Sequence, residues 1–383
     1  MTKQITLLLL LLMTPCLMTA QKRELSQART YVKSGKYGEA ESLVTTLLKD
    51  SANRHNKRVW LALFDVVHQQ YNQGNEKLYL KQKQDTAVFF RNARRLVTVG
   101  ETLDSLAPEY RQRHATLLDV IRGNVFNGGI YFVRKAKWDE AYDFMETYID
   151  CSRQPLFSEF DYSSTDQRLS EAAYWATYAG YKMNDAVKTL RHRKQALNDS
   201  LHGDFTLQFM AEARRWLKDE ELYVATLQEG FRRYPLFPYF FPRLIDAYTE
   251  KGWHERALAV ADSALAVNDS NQLFLFAKSS ALLRLERYKE CIHYCNLLIA
   301  HNDSLAEPYF NAGTAYLNMA ERLDARKEKT QKKTAFQNAR FYMEHYRELA
   351  PEAQDKWAPV LYRIYLNLNL GKQFDEIDRL LNK

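Results

Sequence analysis

Residues 238–271 read PYFFPRLIDAYTEKGWHERALAVADSALAVNDSN, and residues 272–305 read QLFLFAKSSALLRLERYKECIHYCNLLIAHNDSL. Each stretch holds two apolar-periodic runs parted by a short polar break, the pattern of two helices joined by a turn. The first carries Leu244, Tyr248, Gly252 and Ala257, and the second Leu282, Tyr288 and Cys291. Gly252 can end a helix in a backbone conformation that side chains resist. Ala257 is small enough to let the second helix approach the first. Cys291 stands 34 residues after Ala257, and Gly313 stands 34 after Ser279, so small residues recur in phase. The turn triplets Asn268-Asp269-Ser270 and Asn302-Asp303-Ser304 keep the same spacing, with an earlier copy at Asn198-Asp199-Ser200. These residue types bond nearby backbone groups and so favour caps and tight turns.

Working outward, the phase gives units at 204–237 and 306–353. Two more stand at 21–54 and 122–155, and a C-terminal capping pair at 354–383. The stretch Gly35-Lys36-Tyr37-Gly38-Glu39-Ala40 repeats the glycine, aromatic and alanine spacing. Further copies are Gly128-Gly129 with Phe132, Trp138 and Ala141, and Gly313 with Tyr316, Ala339 and Pro351. On these residues the chain resembles the tetratricopeptide repeat (TPR) family. The resemblance implies an all-α, right-handed superhelical solenoid of antiparallel helix pairs. It also implies that the first helices line a groove in which a protein or peptide partner lies.

The pattern is loose in 54–121. There Trp60–His68 reads as one amphipathic helix and Thr86–Leu106 as another, ending before Pro108. Residues 152–166 read as a longer loop, and the 306–353 unit as carrying an insertion of about 14 residues between Ala320 and Ala339. The basic run Arg326 to Lys333 reads as an exposed loop or helix extension.

Composition agrees with helices. Among 383 residues there are only 13 glycines and 9 prolines, against 24 tyrosines and 20 phenylalanines. Lys3, the apolar run Ile5–Met13, Pro15 and the small pair Thr19-Ala20 read as an export signal cleaved after Ala20. Lipid anchoring at Cys16 is the alternative. The net charge of +7 is spread along the chain without a basic stripe, which argues against nucleic acid. No later run is apolar and long enough to span a membrane. Cys151, Cys291 and Cys295 remain beyond the signal, an odd number that makes no disulfide framework. Cys291 and Cys295 share a helix face, where burial competes with a redox or metal role.

No metal-ligand spacing, phosphate-cradling loop or nucleophile elbow appears, so neither a cofactor nor a metal is expected. The sequence points to a non-catalytic interaction scaffold of the cell envelope, periplasmic or extracellular. Glycan or nutrient binding on the same scaffold is the alternative. An enzyme would keep its site in 152–166 or 321–335. The groove candidates are Arg243, Asp246, Phe276, Phe310 and Asn311, of which Asn311 also has a structural reading. Glu212 and Asp246 would repel a partner's terminal carboxylate, which argues against the clamp some family members use. The aromatic run Tyr234, Phe237, Tyr239, Phe240 and Phe241 reads either as packing at a proline-defined junction or as an apolar landing site.

Overall fold

A computed structural model describes residues 21–382; the expected signal and Cys16 lie outside them. The described residues are all α-helical apart from turns and short 3-10 segments, with no strand among them. None of their helices is long and apolar enough to cross a membrane. The chain forms two compact units, one ending at Tyr223 and one beginning at Val224.

The first unit begins with α1 (21–33), α2 (Tyr37–Lys49), α3 (Lys57–Tyr79), α4 (Thr86–Leu106), α5 (Arg111–Arg134) and α6 (Trp138–Asp150). It continues through α7 (Tyr162–Thr165), α8 (Leu169–Lys182), α9 (Ala186–Arg191), α10 (Arg193–Ala196) and α11 (Gly203–Trp216). The second unit takes in most of α12 (Glu220–Arg233). Four pairs follow: α13 (Phe240–Glu250) with α14 (His254–Leu265), α15 (Gln272–Arg284) with α16 (Tyr288–His301), α17 (Ala306–Arg322) with α18 (Lys329–Leu349), and α19 (Gln354–Leu368) with α20 (Gly371–Leu381).

The hairpin turns have one recurring chemistry. Gly252 has φ +69°, and its amide donates to the Thr249 carbonyl while the next amide, of Trp253, donates to Tyr248. This double bond caps a helix through one left-handed residue. The same pair of bonds closes α1 at Gly35, α5 at Ala136, α8 at Asn184, α11 at Lys218 and α15 at Glu286. Asn184, Lys218, Gly252 and Glu286 stand 34 residues apart, so the backbone keeps the period where the side chains do not. Lys218 holds φ +57° without the freedom of glycine. Lys218→Gly is expected to raise stability by about 0.5 kcal/mol, read as a higher thermal midpoint. A fall would show that the lysine side chain contributes more than its backbone costs.

Packing follows the small residues. Ala257, Cys291 and Ala339 are all buried within α14, α16 and α18. Gly128 and Gly129 lie inside α5 rather than at its turn. A Cβ on them would meet the Phe144 ring at 2.5 Å and the Met145 methyl at 2.5 Å, so they let α6 close against α5. The aromatic run packs inward: Phe240 fills the space over Gly230, and Phe241 lies 4.5 Å from the Phe274 ring. Phe240 and Phe241 therefore serve junction packing, while Tyr234 and Phe237 are half-buried and Leu236 between them is exposed.

Several boundaries move. The helix expected at Trp60–His68 runs from Lys57 to Tyr79, because the Asn56 side chain caps Arg58 and the apolar stripe continues through Val67 and Tyr71. The first helix of the 122–155 unit starts at Arg111. The 152–166 loop carries a 3-10 segment at Pro155–Phe160 and α7. The extra residues of 306–353 mostly lengthen helices, giving α17 17 residues and α18 21. The basic run is exposed, and Asp324 caps the amides of Arg326 and Lys327 before α18. The turn triplets cap as expected at Asp199 and Asn302, while Asn271, next to its triplet, caps α15.

The three described cysteines, Cys151, Cys291 and Cys295, are buried and unbridged, with the Cys291 and Cys295 sulfurs 4.0 Å apart. Burial pushes the Cys151 thiol up to about 12, and the neighbouring thiol and burial push Cys291 up as well. Thiols kept protonated and out of water are poor nucleophiles. Iodoacetamide at neutral pH is expected to leave all three unmodified by intact-mass measurement until denaturant is added. Alkylation of the folded chain at the Cys291–Cys295 pair would restore a redox reading.

Candidate functional site

Second helices of the first unit are joined by ion pairs. Glu41 of α2 pairs with Arg95 of α4, and Arg91 of α4 grips Glu140 of α6 at 2.8 Å. Arg94 reaches Asp143 at 3.3 Å, Lys188 of α9 reaches Asp139 at 3.7 Å, and Arg191 reaches Glu146 at 2.8 Å. Their charges are thus largely used within the protein.

This face also buries charge at a cost. Glu101 of α4 has one carboxylate oxygen without a partner among the described residues. Burial, with the Asp150 charge second, pushes its carboxyl up to about 7. The folded state therefore holds a proton between about pH 4.5 and 7 that the unfolded chain releases, so this group makes stability fall as pH rises through that window. Glu101→Gln is expected to stabilise the protein at pH 8 by up to about 3 kcal/mol, and to change little at pH 4. Urea midpoints at the two pH values check this; an equal shift at both would show that the ionisation is not responsible.

The first helices differ. α1, α3 and α5 together line a half-open cavity of about 280 Å³. Its apolar wall is Ala28 and Val32 from α1, Leu61 and Phe64 from α3, and Leu117 from α5. Five polar side chains join it: Arg29, Asp65, His68, Arg113 and His114. Arg29, Asp65 and Arg113 are exposed and have no hydrogen bond or ion pair among the described residues. His114 is 6% exposed, its ring lies 4.5 Å from the Phe64 ring, and its Nδ1 has no partner among the described residues. His68 meets the Asn72 amide at 3.2 Å.

Both imidazoles are held below the usual histidine range. Burial is the main cause for each; Arg113 adds to it at His114, while Asp104 opposes it there and Asp65 opposes it at His68. The cavity thus presents two free guanidiniums, one free carboxylate and two neutral rings over an apolar floor. No group of three or more His, Cys, Asp or Glu among the described residues could hold a metal.

The sequence-derived candidates lie in the second unit, on successive first helices. Arg243 of α13 is half-buried, with its guanidinium 3.9 Å from the centre of the Tyr239 ring, and Asp246 is exposed one turn on. Phe276 of α15 is half-buried. Phe310 of α17 packs on Tyr346 at 5.0 Å. The Asn311 amide donates to Ser280 at 3.1 Å, tying α17 to α15, which gives it a structural task. In the first unit, Glu212 is buried and pairs with Arg215 at 2.6 Å.

The α1–α3–α5 cavity escaped the sequence reading because α3, α4 and α5 run to 23, 21 and 24 residues and obscure the repeat phase. Asp65 and His68, three apart on one helix face, and the adjacent Arg113-His114 were the available signals.

No family profile matches the chain, and no curated protein does. Among solved structures, it is similar to the crystal structure of the P58(IPK) TPR domain, at 11% identity over 94% of this chain and 98% of that one, with a TM-score of 0.27. It is also similar to the TPR2AB domain of yeast Sti1 in its complex with pHSP90, at 14% identity over 78% of this chain and 98% of that one, with a TM-score of 0.28. At these scores the TPR-like architecture rests on the helix pairs and their repeated turns.

Proposed function

We propose that the protein is a non-catalytic scaffold of the cell envelope that holds a protein or peptide partner against its first helices. One contrast carries the reading. Second-helix charges of the first unit pair with one another, whereas α1, α3 and α5 leave Arg29, Asp65 and Arg113 without an ion pair among the described residues, around a cavity. Unpaired charge beside a partly accessible apolar wall supplies specificity to a binding face. Envelope location rests on the N-terminal twenty residues, whose expected removal would make Gln21 the first residue of the mature chain.

A photo-crosslinking residue at Thr116, exposed on α5, tests the binding face in intact envelopes. The same residue at Thr46, exposed on α2, is the control. A discrete protein adduct from Thr116 and none from Thr46 is the expected result. Adducts from neither position would remove the scaffold reading. Fractionation with N-terminal sequencing tests export; a cytosolic chain still beginning at Met1 would refute it.

A further inference from the structure

We propose that a second half-open cavity, lined by the α1–α2 turn, the last turns of α3 and the start of α4, binds a short neutral saccharide. It measures about 490 Å³, within the range of about 300–1,000 Å³ usual for small-molecule sites. It shares no lining residue with the cavity around His114. The proposal adds a ligand to the scaffold reading and does not depend on it.

The side chains select the ligand class. Four carboxamides meet in this cavity: Gln70 and Gln73 from α3, Gln84 from the α3–α4 connection and Asn92 from α4. Gln70 is used within the fold, donating to Glu41 at 2.6 Å. Gln73, Gln84 and Asn92 make no side-chain hydrogen bond among the described residues, and the Gln84 amide nitrogen is buried in that state. Gln84 lies over Gly74 of α3, where an added Cβ would stand 3.5 Å from its amide oxygen. A carboxamide carries donors and an acceptor on one rigid group, and a sugar hydroxyl both gives and takes a hydrogen bond. Three unused amides therefore match neighbouring hydroxyls on a sugar ring. A buried donor left unmade is costly, so a hydroxyl that satisfies Gln84 gains affinity from it.

Charge gives no advantage to an ionic ligand. Glu41 is committed to Arg95 and Gln70, and Asp85 caps the Ala87 and Val88 amides. Lys36 and Lys77 then stand against Glu39 and the capping Asp85 carboxylate, two charges of each sign. The apolar wall is Tyr37, Phe89 and Val88, with Val88 the one aliphatic side chain lining the cavity among the described residues. That wall suits the C–H face of a sugar and lacks the apolar pockets that anchor a peptide's side chains.

The probes are cellobiose, maltose, lactose and N,N′-diacetylchitobiose, followed by calorimetry and saturation-transfer NMR on the full chain. Deacetylated chitobiose and digalacturonate are the charged counterparts. At least one neutral probe is expected to bind about tenfold tighter than either charged one. Its affinity should stay level as salt rises and between about pH 6 and about pH 8, since no ion pair forms and no histidine lines the cavity. Gln84→Leu should weaken that binding about tenfold while raising the urea midpoint, because it removes an unmade buried bond together with the contact. Misfolding cannot produce both effects. Gln73→Leu, at an exposed position, should weaken binding without moving the midpoint. No signal from any neutral probe, an equal or stronger response to a charged one, or binding untouched by both substitutions would overturn the proposal. So would binding of an acetylated, uncharged Ser/Asn peptide in place of the saccharides, which would make the cavity a peptide site. Thr116 lies outside this cavity, so its crosslinking result stands whichever way the titrations fall.

Discussion

Replacing Arg122 by alanine is expected to destabilise the protein by roughly 4 kcal/mol. The Arg122 side chain of α5 is 6% exposed, and Asp166, its partner at 2.6 Å, is 11% exposed. The guanidinium also donates to the Tyr148 carbonyl at 3.1 Å and lies between the Tyr148 and Tyr162 rings, 3.7 and 3.9 Å from their centres. Tyr162 donates in turn to Asp119 of α5 at 2.6 Å. One cation therefore pins the 152–166 segment to α5 and α6. Its removal strands a desolvated carboxylate and opens a void between two rings, and breaking a buried pair from one side costs far more than the pair is worth. The control is Arg122→Met combined with Asp166→Asn, which removes both charges and fills part of the space. That double variant should recover most of the lost stability in urea denaturation. A single-mutant cost below about 1 kcal/mol would mean that the pair is solvated and the segment held by other contacts.

The second large effect concerns one methyl group. Gly180→Ala should cost roughly 3 kcal/mol, because a Cβ there would lie 2.5 Å from the Thr189 nitrogen and 2.8 Å from the Lys188 carbonyl carbon. These are backbone atoms of α9, so no side chain can swing aside; α8 and α9 must separate. Gly38→Ala makes the matched comparison. Gly38 lies in α2 with nothing within 4 Å of its added Cβ, and there alanine should stabilise by about 0.5 kcal/mol through helix propensity. Opposite signs for the same chemical change would establish close helix approach as the cause. A neutral Gly180→Ala would place α8 and α9 farther apart than described.

The contrast between these glycines explains how much of the fold can be read from sequence. Residues 238–305 are legible because Gly252 marks its turn by residue type, and because Ala257 and Cys291 mark the close contacts. The helix pair at 169–191 is not, since Asn184 adopts the left-handed conformation in a position where glycine would have signalled it. Gly128 and Gly129 misdirect for the converse reason: they act in packing, while Ala136 makes the turn. The long helices of 57–134 hide their phase under extra turns, and with it the cavity holding Arg29, Asp65, Arg113 and His114. Such a cavity is a property of three helices meeting, and no local pattern in any one of them encodes it. By contrast, the inward packing of Phe240 and Phe241 was among the readings their proline-flanked setting allowed.

The recurring turns carry a consequence for how such a chain can grow. Asn184, Lys218, Gly252 and Glu286 share one backbone geometry at a fixed interval, although their side chains have nothing in common. The hydrogen bonds that set each hairpin lie entirely within it, from the turn amides back to the final carbonyls of the preceding helix. A segment cut from one such residue to the next begins and ends on the same conformation. Duplicating residues 253–286 in tandem would therefore leave every turn in register and lengthen the array by one module, with only the side chains facing the new neighbour left to adapt. The turn works as a splice point, and gene duplication or a designer could extend the protein there without redesigning a backbone.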